Sequence, residues 1–282
     1  MPEKWLIVGW TEGAKKLAER LNRRGVAVQT ISTRKFMSAQ SESLTFQNFI
    51  IFSAFFRYDP KNQQDALALF SNKLRRQLSD GDRKAIFLSS ASVYGLSDNA
   101  SVAYRETDEL APIDLNGLEK KELEGLFAEL ASLGLISSVV FRAPGLIGKL
   151  DGFNRSFGFI DHLISIKHSG LPSNVILESQ GQQYRDFLHV DDLFEIIEQA
   201  AIDFERFCPR QYHIYNLSNR EKLLISDIYD KIIGVDNALV SASLSSSDTA
   251  MIHSSLDNRL ISSLLPNFEF ISTESYLEKE IG

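Results

Sequence analysis

Three stretches of the chain combine residue types that can do chemistry. The first is Val8-Gly9-Trp10-Thr11-Glu12-Gly13-Ala14, a turn that follows an apolar run. Against the phosphate-binding pattern G-x-G-x-x-G/A it supplies Gly9 at the first position and Ala14 at the third. Thr11 stands where a middle glycine would let backbone amides approach a pyrophosphate at the positive end of a helix. It brings a branched Cβ into that gap, and a hydroxyl able to donate to a phosphate; Gly13 is placed to relax the loop instead. Strand–glycine–helix turns also occur in α/β proteins that bind nothing there, so the turn alone keeps both readings. The second stretch, Ile31-Ser32-Thr33-Arg34-Lys35, offers two hydroxyls and two cations and no acid for a ribose hydroxyl pair. That set suits a 2′-phosphate, favouring NADP(H) with NAD(H) as the alternative, or else it is a solvated basic loop. The third is Ile86-Phe87-Leu88-Ser89-Ser90-Ala91-Ser92-Val93-Tyr94-Gly95, a buried run that enters a hydroxyl-rich turn.

The elements that must position these groups alternate between two kinds. Apolar, β-branched or aromatic runs predict strands at Trp5–Gly9, Val26–Ile31, Phe49–Ser53, Ala85–Ser89 and Ser138–Arg142. Ala14, Leu17, Ala18 and Leu21 share one helical face, and Leu123, Leu126, Phe127 and Leu130 repeat the spacing. Leu67, Phe70, Leu74 and Leu78 nearly do. This alternation predicts a parallel sheet covered on both faces, hence a doubly wound fold with a ligand crevice at the strands' C-terminal ends. Residues 31–48 leave little room for an ordinary helical crossover plus a strand at Leu44–Phe46. Beyond Arg142, glycines and prolines mark loops around a helix at Phe159–Lys167 and a strand at Val175–Glu178. A helix at Leu193–Phe204 and a strand at Tyr212–Leu217 follow. The serine-rich run Ser241, Ser243, Ser245, Ser246 and Ser247 reads as a loop of a small terminal domain.

The 282 residues carry 30 Lys+Arg and 37 Asp+Glu, a net charge of −7 that argues against a nucleic-acid partner. The lone Cys208 excludes an intrachain disulfide and suits a reducing compartment. His162, His168, His189, His213 and His253 show no paired ligand spacing, so no metal site is expected. The apolar run Trp5–Val8 is too short for a signal segment, and nothing approaches the ~20 apolar residues of a membrane span. A soluble, cytoplasmic protein is expected.

The hydroxyl-rich turn is followed by Glu106, Pro112 and Asn116-Gly117-Leu118-Glu119-Lys120, then Phe141-Arg142-Ala143-Pro144-Gly145-Leu146-Ile147-Gly148. Tyr184-Arg185-Asp186-Phe187-Leu188-His189-Val190-Asp191-Asp192 and Tyr215-Asn216-Leu217-Ser218 complete the series. In this order it resembles the extended and atypical short-chain dehydrogenase/reductases, the NAD(P)-dependent nucleotide-sugar epimerase/dehydratase family, over nearly the whole chain. The resemblance implies a Rossmann-type, doubly wound α/β fold with a small, discontinuous C-terminal substrate lobe. Residues 1–145, with 186–217 returning, would bind the dinucleotide, and 146–185 with 218–282 would form the lobe. A homodimer paired through the Leu118–Leu130 helix is implied as well.

Carried over residue by residue, Ser90 would hydrogen-bond the reacting oxygen, and Lys120 would hold the nicotinamide ribose. Gly9, Thr11, Gly13, Ala14, Ser32, Arg34, Ala54, Phe55, Ser89 and Pro144 would line the cofactor. Arg185 would meet the diphosphate of a nucleotide sugar, and Asn154 would touch the substrate. Arg185 has a second reading as a structural partner of Asp186, and Glu106 as solvated surface or a brace of the active-site turn. The family's Tyr-x-x-x-Lys pair is broken: the tyrosine position is Asn116. An amide cannot take a proton near neutral pH, and loss of a general base typically costs about 10²–10⁴-fold in rate. Tyr94, Tyr104, Asp114 and Glu119 are the nearby groups that could substitute. Three functions follow: hydride-transfer chemistry on a nucleotide sugar with an atypical proton relay, a non-catalytic NADP(H)-binding sensor or partner subunit, or a scaffold that has lost the cofactor too.

Overall fold

The computed structural model describes residues 4–40, 46–52, 63–79, 82–97, 99–150, 158–178, 181–234, 240–245 and 253–281. In chain order the first elements are β1 (Lys4–Gly9), α1 (Thr11–Arg23), β2 (Ala27–Ile31), α2 (Thr33–Ser38), β3 (Asn48–Phe52) and α3 (Gln63–Leu78). Next come β4 (Arg83–Ser90), α4 (Leu115–Ser132), β5 (Ile136–Ala143), β6 (Gly145–Ile147), α5 (Phe159–Ser169), β7 (Ser173–Glu178) and β8 (Tyr184–His189). The remainder is α6 (Val190–Ile202), α7 (Phe204–Phe207), β9 (Tyr212–Asn216), β10 (Lys222–Leu224), α8 (Ile225–Ile233), β11 (Val240–Ser245), α9 (Arg259–Leu264) and α10 (Thr273–Ile281). These form two compact units: Met1–Val93 with Pro112–Arg142 and Phe194–Tyr215, and Tyr94–Ala111 with Ala143–Leu193 and Asn216–Gly282.

The first unit is a Rossmann-type α/β layer built on a six-stranded sheet of order β2-β1-β3-β4-β5-β9. The pairs β1–β2, β1–β3 and β3–β4 are parallel. Strands β1 and β3 are buried on both faces, which is why they read as unbroken apolar runs rather than alternating ones. Winding goes outward from β1 to β2 and then reverses through β3, β4 and β5. The C-terminal ends beside that switch point, Gly9, Ile31, Phe52 and Ser90, share one edge of the sheet, where ligand crevices form in such folds. Leu17 and Leu21 of α1, Phe70 and Leu74 of α3, and Leu123 and Phe127 of α4 are fully buried, as their periodicity predicted. Phe87 and Phe127 stack with centroids 5.1 Å apart, seating α4 on β4.

The cramped segment after β2 contains the six-residue α2, shorter than an ordinary crossover helix. Ser32 caps it by accepting from Lys35 N at 3.3 Å, and Phe36 packs on Phe70 at 5.6 Å. The expected strand at Leu44–Phe46 is not realised at Phe46, which is an irregular core residue; Leu44 and Thr45 lie outside the described residues.

In the second unit the Arg185-Asp186-Phe187 stretch is strand. It forms β8, antiparallel to β10 and parallel to β6. Chain then turns into α6, with Asp191 and Asp192 in its first turn, where acids favour the helix dipole. The serine-rich run is corrected: Val240–Ser245 pairs as strand β11, parallel to β7. Val240, Ala242 and Leu244 alternate with serines, a period of two hidden by the low-complexity appearance. Ser246 and Ser247 lie outside the described residues. Ile160, Leu163 and Ile164 of α5, Ile232 of α8 and Leu277 of α10 share one apolar core. Within it the Tyr276 hydroxyl donates to buried Asp161 at 2.6 Å.

Candidate functional site

Gly9 ends β1 at φ +93°, and a Cβ there would fall 1.7 Å from the Phe52 carbonyl oxygen. Only glycine lets β1 turn while lying this close to the end of β3. Trp10 follows at φ +31°, a left-handed conformation that costs a non-glycine residue about 1–3 kcal/mol unless its surroundings fix it. They do. The indole packs on Phe52 at 5.5 Å and Phe194 at 5.6 Å. It also lies where a Cβ on Gly13 would come within 2.4 Å of the ring.

Gly13 is therefore not a loop-relaxing residue, as the sequence suggested, but a helical one whose missing side chain makes room for Trp10. Thr11 is the exposed first residue of α1 rather than a plug, and Ala14 is buried in the helix–sheet seam. Trp10, the N-cap, has no acceptor to cover the first-turn amides, so these donors suit a phosphate. Glu12 in the same turn brings an opposing charge. The Thr33 hydroxyl lies 3.2 Å from the Cβ position of Gly9. Ser32 has its hydroxyl engaged in capping α2, and Arg34 is exposed.

At the end of β4, Ser90 and Ser92 meet the start of α4. Asp114 caps that helix, accepting from Gly117 N at 2.6 Å. A Cβ on Gly117 would sit 2.4 Å from the Ser92 carbonyl oxygen, so glycine here lets helix and turn touch backbone to backbone. Asn116 Nδ2 then donates to Ser92 Oγ at 2.7 Å and to Ser90 Oγ at 3.4 Å. Ser90 Oγ also accepts from Ser92 N at 3.2 Å and Ser92 Oγ at 3.0 Å. All three side chains are half-buried. One helical turn on, the Lys120 ammonium is buried, donating to Leu88 O at 2.9 Å and lying 5.1 Å from the Phe87 ring centroid. Burial pushes it down to about 8, against the opposing pull of Glu119 and then Glu124.

Ser89 faces the other way. It is buried and donates to Glu124 Oε1 at 2.5 Å, so its side chain belongs to the core and not to a cofactor surface. Of the residues that could replace the missing phenol, Asp114 is committed to its cap. Tyr94 is buried, donates to Asn216 Oδ1 at 2.7 Å and stacks on Tyr104 at 4.8 Å. Glu119 is buried on α4 beside Lys120.

The remaining candidates belong to the second unit. Glu106 accepts from Asn216 N at 2.9 Å, a brace rather than a solvated acid. Arg185, on β8, donates to Tyr184 O at 3.1 Å and Gln183 Oε1 at 2.5 Å. The neighbouring Asp186 carboxylate accepts from Ser218 and Ser255 at 2.9 Å and from Leu256 N at 2.7 Å. Desolvation raises Asp186 above the usual carboxylate range, against those three hydrogen bonds. Pro144 lies between β5 and β6. Ala54, Phe55 and Asn154 lie outside the described residues. Among the described residues no cluster of three or more His, Cys, Asp or Glu could hold a metal, and no helix is long and apolar enough to cross a membrane.

Sequence reasoning missed Trp10 and the roles of Ser92 and Gly117. Only the hydroxyl density after β4 signalled any of them.

Comparison with solved structures returns the same fold at low identity. A UDP-glucuronic acid 4-epimerase from Bacillus cereus, solved with UDP-glucuronic acid and NAD, has a TM-score of 0.77 at 17% identity, covering 99% of this chain and 98% of that one. A UDP-glucose 4-epimerase from Thermotoga maritima, solved with UDP-glucose, scores 0.76 at 16% identity over 99% and 97%. A dTDP-glucose 4,6-dehydratase from Bacillus anthracis, solved with NAD, scores 0.74 at 14% identity over 99% and 95%. No curated protein matches the sequence significantly. The NAD dependent epimerase/dehydratase family model matches residues 61–217, more than half the chain, a span that contains Ser90, Asn116, Lys120 and Arg185. This chain belongs to the NAD dependent epimerase/dehydratase family.

Proposed function

We propose that this protein binds a nicotinamide dinucleotide along the C-terminal edge of the first unit's sheet and acts by hydride transfer on a nucleotide-linked sugar or a related polar metabolite. The fixed position of the Ser90 hydroxyl at the C-terminal end of β4 carries this reading. Its oxygen accepts from Ser92 N and lies 3.0 Å from Ser92 Oγ and 3.4 Å from Asn116 Nδ2, which holds this half-buried hydroxyl in place at the strand end. An accepting substrate oxygen, carbonyl or hydroxyl, is what such a donor holds and polarises.

The uncapped first turn of α1 would receive the pyrophosphate between Gly9 and Ala14. Arg34 and Thr33 would meet a 2′-phosphate, favouring NADP(H), and Lys120 would hold the nicotinamide ribose. Arg185 would meet the substrate diphosphate. When bound, the dinucleotide supplies the hydride acceptor or donor; orienting the oxygen falls to Ser90, and Ser92 and Asn116 fix the Ser90 hydroxyl. The NAD and UDP-sugar complexes among the structural neighbours support the ligand class.

One observation favours a second reading, a non-catalytic NADP(H)-binding sensor or partner subunit. The tyrosine position is an amide that donates into the serine pair and accepts no proton. Thermal shift with NAD+, NADH, NADP+ and NADPH tests both, since a ligand at 100 times its Kd adds about 2.7 kcal/mol. A shift with none of the four overturns both. Given a shift, nicotinamide absorbance with a panel of nucleotide sugars separates them: turnover supports the enzyme, and turnover appearing only in Asn116→Tyr supports the binder.

A further inference from the structure

The first unit carries a cleft of about 370 Å³ at the N-terminal ends of β3, β4 and β5, the edge of the sheet opposite Gly9 and Ser90. Side chains on one face of a strand recur every second residue. On the face of the cleft β3 presents Asn48, Ile50 and Phe52, β4 presents Lys84, Ile86 and Leu88, and β5 presents Ser137, Val139 and Phe141. The two upper layers are apolar and buried. The lowest is an amide, an ammonium and a hydroxyl on three adjacent strands, and all three line the cleft. Asn48 is only 2% exposed, so this layer is not a solvated strand end. Close-packed interiors leave few voids larger than a water, and a layer that merely filled space would continue the apolar pattern above it. Lys84 and Ser90 lie six positions apart on β4, about 20 Å along the strand, which separates the cleft from the Ser90 turn.

Charge is layered in the cleft. Among the described residues that line it, the inner wall carries the cation Lys84, and the rim carries two exposed carboxylates, Asp82 and Glu205. Lys84 Nζ pairs with Glu205 Oε1 at 2.8 Å and lies 5.6 Å from the centroid of the buried Phe204 ring. The Lys84 side chain is 23% exposed and that of Glu205 75%, so the cation is the fixed partner and the acid the exchangeable one. Asn48 Oδ1 accepts from Lys84 N at 3.4 Å, which ties the buried amide to the same strand end. The lining thus has one negative charge in excess. A simple anion would add to that excess, and a simple cation would have to sit beside Lys84. A molecule with both charges on one carbon avoids both penalties. Its carboxylate replaces Glu205 on Lys84, one carboxylate for another, and its ammonium faces Asp82 and the released Glu205. Asn48 and Ser137 offer hydrogen bonds to the carboxylate, and Phe204 offers an apolar surface. The volume falls at the small end of the roughly 300–1,000 Å³ typical of small-molecule sites.

We propose that this cleft is a second ligand site that binds a free α-amino acid, with Lys84 holding its carboxylate and Asp82 and Glu205 its ammonium. The site does not rest on the hydride-transfer function proposed for the opposite edge, and it requires no dinucleotide.

Titration calorimetry of the intact chain with each of the standard amino acids tests this. At least one should bind. Its decarboxylated amine and its deaminated acid should each bind about tenfold more weakly or worse, because each lacks one of the two charge-assisted contacts. Lys84→Met should weaken the same amino acid by about tenfold or more while keeping a cooperative thermal unfolding transition. Asp82→Asn, on the exposed rim, should weaken it about threefold. Heat from none of the amino acids overturns the proposal. So does an amine or acid that binds as tightly as its parent, or a folded Lys84→Met that binds like the wild type. Should Lys84→Met fail to fold, Asp82→Asn decides: undiminished binding in that variant overturns the site, and weakened binding supports it.

Discussion

Asn116 and Lys120 stand four residues apart on α4, and their surroundings give them different work. Asn116 is a donor into a serine pair, whereas Lys120 is a buried cation held at the Leu88 carbonyl. Arg34 is a simpler case, an exposed guanidinium in the first turn of α2. If it holds a 2′-phosphate, Arg34→Ala should weaken NADP(H) by about tenfold, one charge-assisted contact, and leave NAD(H) nearly unchanged. Titration calorimetry with both cofactors checks this, and equal losses would refute the preference. Glu124→Ala removes the carboxylate that meets the buried Arg142 guanidinium at 2.6 Å and should cost about 3–5 kcal/mol in urea unfolding. Ser90, Asn116 and Lys120 were legible in the sequence because motif spacing is local. Trp10, Gly117 and the Ser89–Glu124–Arg142 cluster were not, since each depends on which backbone or ring lies opposite. The Gly117 constraint, for example, exists only because the Ser92 carbonyl touches α4.

At the scale of elements, α1 shows how a propensity rule can be overridden. Alanine is a better helix former than glycine by about 1 kcal/mol, so Gly13→Ala should stabilise an isolated helix. Here the new methyl meets the Trp10 ring at 2.4 Å, and that ring is itself wedged against Phe52 and Phe194. The variant should be destabilised by about 1–3 kcal/mol, the usual cost of overpacking, in thermal or urea unfolding. Most elements of the first unit were readable because strands buried on both faces give plain apolar runs and α1, α3 and α4 give clear stripes. What escaped were short or disguised pieces. The six-residue α2 carries one buried residue, Phe36, which is too little for a periodic signal. Strand β11 hid its alternation among serines, and β8 was read for its chemistry before its backbone.

For the whole molecule, the buried Lys120 links stability to pH. Its folded value near 8 lies below the 10.5 of an unfolded lysine, so between these limits the unfolded chain binds the extra proton. Stability attributable to this group therefore rises as pH increases through that window, by up to roughly 3 kcal/mol. The gap between wild type and Lys120→Met should move in favour of the wild type from pH 7 to 10, measured by urea unfolding. Cys208, pushed up by burial to about 11, penalises high pH in both proteins and cancels in the difference. The discontinuous layout of the first unit has a consequence of another kind. Its sheet is completed by β9, Tyr212–Asn216, after the chain has twice left the unit. A ribosome emitting about 5–20 residues per second must therefore deliver three quarters of the polypeptide before the last strand can pair. Until then the nascent chain exposes the flank of β5, making late synthesis the interval in which a cellular chaperone has most to protect.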